Sequence, residues 1–285
     1  MRKVQIITDS GSDIPKDLIA KHNIYIVPYF ILFGEKTYRD GVDITTPKLY
    51  EMVEKNKILP KTAAITPLEW KKHFDSFIEQ DYDIVCLTLS SKISSTFQNA
   101  YLTSQEYEQG RVVVVDSKSL SGALALLTLK AVKYRDQGMS AVEIGQELDK
   151  LVPKMHTQFV IKTLEYLHKG GRCSALARLL GTVLALKPQI KMFDGKLDVY
   201  KKSVGKMSRA VDHMLNDFFA VAEMGKLDSE FVFITHSFAP KMEKYIIQKI
   251  KQSGLKIQNL IVSHAGVVIS THCGAGTIGI LYLEK

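Results

Sequence analysis

The 285-residue sequence predicts an α/β protein in two parts: a parallel-sheet α/β domain over residues 1–155 and a mixed α/β domain over 156–285. Three observations carry that expectation. Short apolar runs alternate with helix-like segments through the first half, the pattern of a parallel sheet covered on both faces. These runs end in turns dense in Ser, Thr and Asp. Near Leu151-Val152-Pro153 the alternation gives way to a hairpin-like pattern.

In order, Val4 to Thr8 reads as a strand that breaks into Asp9-Ser10-Gly11-Ser12-Asp13. Asp13 is the expected N-cap of a helix that opens at Ile14-Pro15. Ile24 to Phe33 reads as a second strand, and Thr45-Thr46-Pro47 caps a helix through Asn56. Thr66 caps the next helix, on which Trp70, Phe74 and Phe77 share a face. Asp83 to Leu89 and Arg111 to Asp116, the latter with four successive valines, read as buried strands. Helices are expected from Thr96 to about Gln109 and from Ser121 to Gln137. In the second part, Thr157 to Lys162 is strand-like, Ala175 to Leu186 helical, and Asp194-Gly195 joins a hairpin. A helix from Ser208 to Met224, a strand at Phe231 to His236, a helix to Ser253 and terminal strands follow.

Composition narrows the function classes. Hydrophobic residues make up 46% and charged residues 24%, as in ordinary globular proteins. The net charge is 38 − 30 = +8. It is dominated by Lys, whereas base and phosphate recognition leans on Arg forks, so a nucleic-acid partner is not expected. The N-terminus runs straight into a strand with no signal peptide, and no apolar stretch reaches membrane-spanning length. The expectation is a cytoplasmic protein, with at most transient contact with a membrane surface. Cys86, Cys173 and Cys273 are widely spaced and odd in number, which gives neither a zinc site nor a disulfide framework.

The candidate site is read from the hydroxyl turns. In open α/β sheets ligands sit beyond the C-terminal strand ends. Thr8 to Asp13, Lys61-Thr62, Ser90 to Thr96 and Asp116 to Ser119 all fall at or near such ends, so they can converge. Ser94, Ser95 and Thr96 also precede a helix, where free amides favour an anion. His272 stands in the small-residue frame Ser270-Thr271-His272-Cys273-Gly274-Ala275-Gly276. There an imidazole near its ordinary pKa of about 6.5 can serve an oxyanion. His236 is a weaker candidate. This inventory of neutral donors with few charges suits carboxylate or phosphate capture better than bond breaking. No phosphate loop or Gly-x-Ser-x-Gly elbow is present. Gly274-Ala275-Gly276-Thr277-Ile278-Gly279 does not open a βαβ unit and carries no dinucleotide meaning. Asp9 and Asp13 lack a third carboxylate at a metal-ligand spacing, so no metal is expected.

Several strings occur in a specific order: Thr8-Asp9-Ser10, Tyr38 to Ile44, Lys61-Thr62, Ser90-Ser91 with Ser94 and Thr96, and Val115-Asp116-Ser117. Leu164-x-Tyr166-Leu167-x-Lys169-Gly170-Gly171-Arg172 and His272-x-Gly274-x-Gly276 complete the set. With these strings the chain resembles the DegV family along nearly its whole length. The resemblance implies a two-domain DegV-like fold that binds a long-chain fatty acid between its domains, with no cofactor and no catalysis of its own. It also implies a separate fatty acid kinase subunit as a partner that phosphorylates the presented carboxyl group. Thr62 and Ser94 are then the carboxylate hydroxyls, His272 stands beside them, and Arg172 faces the partner. Ser10, Ser95 and Ser117 are secondary contacts. Leu179, Leu180, Val183, Leu184, Leu186 and Ile190 are candidates to line the tail. The chain departs from the family pattern at Ala63-Ala64-Ile65-Thr66, Ser95, Val204-Gly205 and Ala275. Two other readings stand beside this one: a lipid carrier or sensor without a kinase, and a small-molecule kinase or hydrolase using Asp9, Ser94 and His272.

Overall fold

Three sheets organise the chain, a mixed α/β fold in the computed structural model, which describes residues 2–179 and 185–285. β1 (Lys3–Asp9) leads through a short 3-10 turn to α1 (Lys16–His22). β2 (Tyr25–Val27), β3 (Phe30–Phe33), β4 (Lys36–Arg39), α2 (Thr46–Asn56) and β5 (Lys61–Ala63) come next. Then follow α3 (Pro67–Ile78), β6 (Tyr82–Thr88), α4 (Thr96–Ser104), β7 (Val112–Asp116), α5 (Gly122–Asp136) and α6 (Ala141–Leu151). Strands β2-β1-β6-β7 make a parallel sheet, and β4-β3-β5 make a small antiparallel one.

The second half contains β8 (Met155–Val160), α7 (Glu165–Lys169), β9 (Leu186–Phe193), β10 (Lys196–Val204) and α8 (Met207–Glu223). It ends with β11 (Leu227–Ser237), α9 (Pro240–Gln252), β12 (Asn259–His264), α10 (Val267–Cys273) and β13 (Thr277–Glu284). These strands form one six-stranded sheet, β10-β9-β8-β13-β11-β12, in which only β11 and β12 run parallel. The β9–β10 turn has Asp194 at φ 43° and Gly195 at φ 81°, the left-handed pair that an Asp-Gly hairpin requires.

α5 holds the two large sheets together. Every residue from Gly122 to Val132 is buried, because the helix packs against β1 and β6 on one side and β11 and β13 on the other. The stretch is apolar on nearly every side; its polar members are satisfied, Thr128 by Leu124 O at 2.8 Å and Lys130 by Asp228 and Glu230 at 2.6 Å each. At its start, a Cβ on Gly122 would lie 2.6 Å from Thr235 Oγ1, so only glycine permits this approach. One apolar core therefore runs from Ile6 and Val85 through Leu126 to Phe233 and Leu281. A second cluster, with Met214, Phe218 and Ile246, lies under α8 and α9.

Several expectations are corrected. The run from Ile24 to Phe33 splits at Pro28-Tyr29 and feeds two sheets, since proline cannot donate to a ladder. Asp13 does not cap α1, whose N-cap is Pro15; it sits at φ 54° and bonds elsewhere. A helix was not expected at Ala141–Leu151, yet Ser140 and Glu143 form a reciprocal capping box there. In place of a helix from Ala175 to Leu186, a 3-10 turn covers Ser174–Leu179 and Leu186 already belongs to β9. Leu180, Val183 and Leu184 fall outside the described residues. α10 interrupts what reads as terminal strands. Among the described residues, no helix is long and apolar enough to cross a membrane.

Candidate functional site

Three of the expected hydroxyl turns meet where the parallel strands end, whereas Lys61-Thr62 is no such turn but part of β5 in the small antiparallel sheet. Asp9 Oδ2 accepts Leu89 N at 2.8 Å, and Ser90 N donates to Ser119 O at 2.9 Å. Beside them a cavity of about 300 Å³ opens between the two halves, within the range of small-molecule sites. Its apolar wall includes Leu89, Leu120, Phe159, Leu167, Leu197, Val268 and Leu281. Leu179, Leu186 and Ile190 are core residues and do not line it.

Thr62, Ser94, Ser95, Arg172 and His272 all line this cavity. Thr62 lies on the edge strand β5 and meets His272, from α10, with Oγ1 to Nε2 at 2.8 Å. Ser94 Oγ pairs with Tyr29 OH at 3.0 Å and with Thr96 Oγ1 at 3.0 Å. Ser95 is the exposed N-cap residue of α4, and its side chain makes no capping bond. Arg172 is exposed and folds back to donate to Gly170 O at 2.5 Å. Ser10 and Ser117 lie away from the cavity lining. Ser10 bonds Asp40 Oδ2 at 2.9 Å, and Ser117 turns onto Ser119. Tyr29 is the site residue that the sequence reading passes over. Its signal is Pro28-Tyr29 inside an apolar run, because a buried tyrosine needs a partner for its hydroxyl.

The His272 tautomer follows from its surroundings. Nδ1 is buried without a partner and packs against Gly170, where an added Cβ would approach to 2.4 Å. A proton on Nδ1 would have no acceptor and would also face the field of Arg172. We therefore assign the proton to Nε2, which donates to Thr62 Oγ1 and leaves the threonine hydrogen free for a ligand oxygen. Burial, aided by Arg172, pushes the His272 pKa down to about 4, so the ring is neutral at pH 7.

That depression has a measurable sign. Between about pH 6.5 and pH 4 the unfolded chain binds the His272 proton better than the folded one. The associated stability is intact above pH 6.5, falls as pH drops toward 4, and is flat below. Asp9, lifted by burial to about 7, contributes the opposite slope, so a difference measurement is needed. In urea unfolding across this window, wild type should lose on the order of 2–3 kcal/mol more than His272→Gln. Parallel curves would contradict a neutral, buried imidazole.

Other polar groups on the cavity wall are spoken for. Thr235 Oγ1 bonds Ser263 Oγ at 2.6 Å, and Ser237 Oγ bonds Tyr50 OH at 2.6 Å and Ser270 Oγ at 2.8 Å. Thr277 Oγ1 donates to Cys273 O at 2.8 Å. The free hydroxyl hydrogens are therefore those of Thr62 and Ser95, while Ser94 Oγ donates to Thr96 Oγ1 at 3.0 Å and serves a ligand oxygen by turning its hydrogen from that bond.

A family model described as "Uncharacterised protein, DegV family" matches residues 3–285. The chain belongs to the DegV family. A DegV domain-containing protein of Caldanaerobacter subterraneus subsp. tengcongensis is 32% identical over 290 residues, covering all of both chains. Among solved structures, a DegV family protein from Thermus thermophilus described by its fatty acid binding superposes with a TM-score of 0.92 at 29% identity, covering both chains fully. DegV from Bacillus subtilis, a fatty acid binding protein, gives 0.87 at 25% identity, again over both chains in full. A stearic acid-binding protein from Eubacterium ventriosum gives 0.86 at 26%, covering 100% of this chain and 99% of its own.

In this DegV chain the residues of a Ser/His/Asp mechanism are not assembled. His272 Nε2 is engaged by Thr62 rather than Ser94. Asp9 is fully buried, with its oxygens taken by the Gly11 and Leu89 amides. Among the described residues, His236, Glu243 and His264 bring ligand atoms within 4.8 Å of one another. However, Ala239 N donates to His236 Nδ1 at 3.1 Å, which places that ring's proton on Nε2, where it bonds Glu243 at 2.8 Å. A metal-ligating histidine needs the opposite arrangement, a second nitrogen that donates. The group is a hydrogen-bonded clasp. Where the chain departs from the family pattern, Ala64 lines the cavity and Thr66 accepts Glu69 N at 3.3 Å as the α3 cap.

Proposed function

We propose that this chain is a cytoplasmic fatty-acid carrier that holds one long-chain fatty acid in the cavity with its carboxylate at Thr62, Ser94 and His272. The observation that carries the reading is an apolar cavity lined by the Thr62–His272 pair, whose imidazole is neutral, together with the hydroxyls of Ser94 and Ser95. Burying a carboxylate without donors is prohibitive, and these groups supply them. Each buried methylene adds about 0.8 kcal/mol, so a long tail provides most of the affinity. The fatty-acid-binding relatives support the same ligand class. Ser95 extends the donor set at the mouth, where Arg172 is exposed to a partner. We further propose that the partner is a separate kinase that converts the presented carboxylate to an acyl phosphate, with Arg172 as a docking group.

Organic extraction of the purified protein should release roughly one fatty acid per chain. Protein that stays lipid-free and takes up no fatty acid in vitro would refute the carrier. With a cognate kinase and ATP, Arg172→Ala should slow acyl phosphate formation. Unchanged turnover would remove the docking claim alone.

A further inference from the structure

α10 carries His272 and begins at Gly266, and its start is gripped by side chains from the other half of the molecule. Asp13 Oδ1 accepts Gly266 N at 2.8 Å. Asp40 accepts Val267 N at 2.9 Å on Oδ1 and Val268 N at 3.2 Å on Oδ2. Thr46 Oγ1 donates to Ala265 O at 2.9 Å. The carboxylates are themselves fixed, Asp13 by Ser121 Oγ at 2.6 Å and Asp40 by Ser10 Oγ at 2.9 Å. Both are buried, at 7% and 4% exposure.

This is more than capping requires. One local Ser, Thr or Asn side chain satisfies a helix start. Two buried carboxylates add a desolvation cost, expressed in the upward shift that burial imposes on both acids. What they add is placement. His272 follows Val268 by four residues, about one turn along the helix. Its bond to Thr62 tolerates only a few tenths of an ångström before it fails. A slide or rotation of α10 at its start therefore reaches His272 undiminished. Space is also tight: a Cβ on Gly266 would sit 3.2 Å from Asp13 Oδ1 and 3.3 Å from Asp40 Oδ2.

We infer that Asp40, seconded by Asp13 and Thr46, is a positioning residue for carboxylate capture that acts through α10 by holding His272 against Thr62. The inference rests on the carrier reading above and adds residues that never touch the ligand.

A double-mutant cycle on fatty acid affinity tests it. Asp40→Asn keeps the shape of the side chain but turns donors toward the helix amides. It should cost about tenfold in affinity beside an intact His272, and within about twofold once His272→Ala is present. Equal losses in the two backgrounds, or no loss in either, would overturn the inference. If Asp40→Asn does not fold, Thr46→Val enters the same cycle, with about threefold expected and the same criterion. Wild type that binds with additive losses refutes the positioning role alone. Wild type that binds no fatty acid refutes the carrier reading and the inference together.

Discussion

Alanine at Thr62, Ser94 or His272 should lower fatty acid affinity about tenfold or more in each case, while a fatty alcohol of the same length loses less. Thr62 and Ser94 each give up a hydroxyl that faces the cavity, and His272→Ala removes the group that directs the Thr62 hydrogen inward. Leaving a buried charged acceptor short of one donor costs roughly 1–3 kcal/mol, and 1.4 kcal/mol is a factor of ten. The alcohol carries no charge to satisfy, so its affinity rests mainly on the tail. Titration of both ligands against each variant separates the two effects. Equal losses for acid and alcohol would mean that the residues act through folding and not through the carboxylate.

A second large effect is expected at Gly170. This residue has φ −66° and ψ −20°, which alanine adopts without strain. The added methyl would meet His272 Nδ1 at 2.4 Å and Tyr166 O at 3.0 Å. Carbonyl and helix give little, so the imidazole must move away from Thr62. Gly170→Ala should therefore lose about tenfold or more in fatty acid affinity. Gly171→Ala is the natural comparison. Gly171 has φ +68° and nothing within 4 Å of an added Cβ. It should cost stability of about 1 kcal/mol through backbone strain and leave affinity within about twofold. If Gly170→Ala bound as wild type does, His272 would not need its observed position.

The parallel sheet was legible in the sequence because its central strands are buried on both faces and read as unbroken apolar runs, most plainly Ile84 to Leu87. The Asp194-Gly195 hairpin was equally plain, since its turn chemistry is local. α10 was not, because its start is held by Asp13 and Asp40, more than two hundred residues away in sequence. The capping box at Ser140 and Glu143 was a local signal that the reading overlooked. His272 could be named from its frame of small residues, Ser94 and Ser95 from their turn before a helix, and Thr62 from the family resemblance. Their meeting could not be read locally, because β5 and α10 approach only when the two halves close on α5. Ser10 and Ser117 have the same local appearance as Ser94, yet their hydroxyls hold turns together. The apolar segment from Leu179 to Ile190 has the composition of a tail lining, yet Leu179, Leu186 and Ile190 pack into the core. The described wall comes from many strands and helices, so no single stretch of sequence announces it.

The most direct test of the central claim is a crystal structure with a long-chain fatty acid bound. The account predicts one ligand per chain, with carboxylate oxygens within hydrogen-bond distance of Thr62 Oγ1 and Ser94 Oγ and the tail running past Leu89 and Val268. A carboxylate placed elsewhere, or a tail entering with its methyl end at His272, would contradict it.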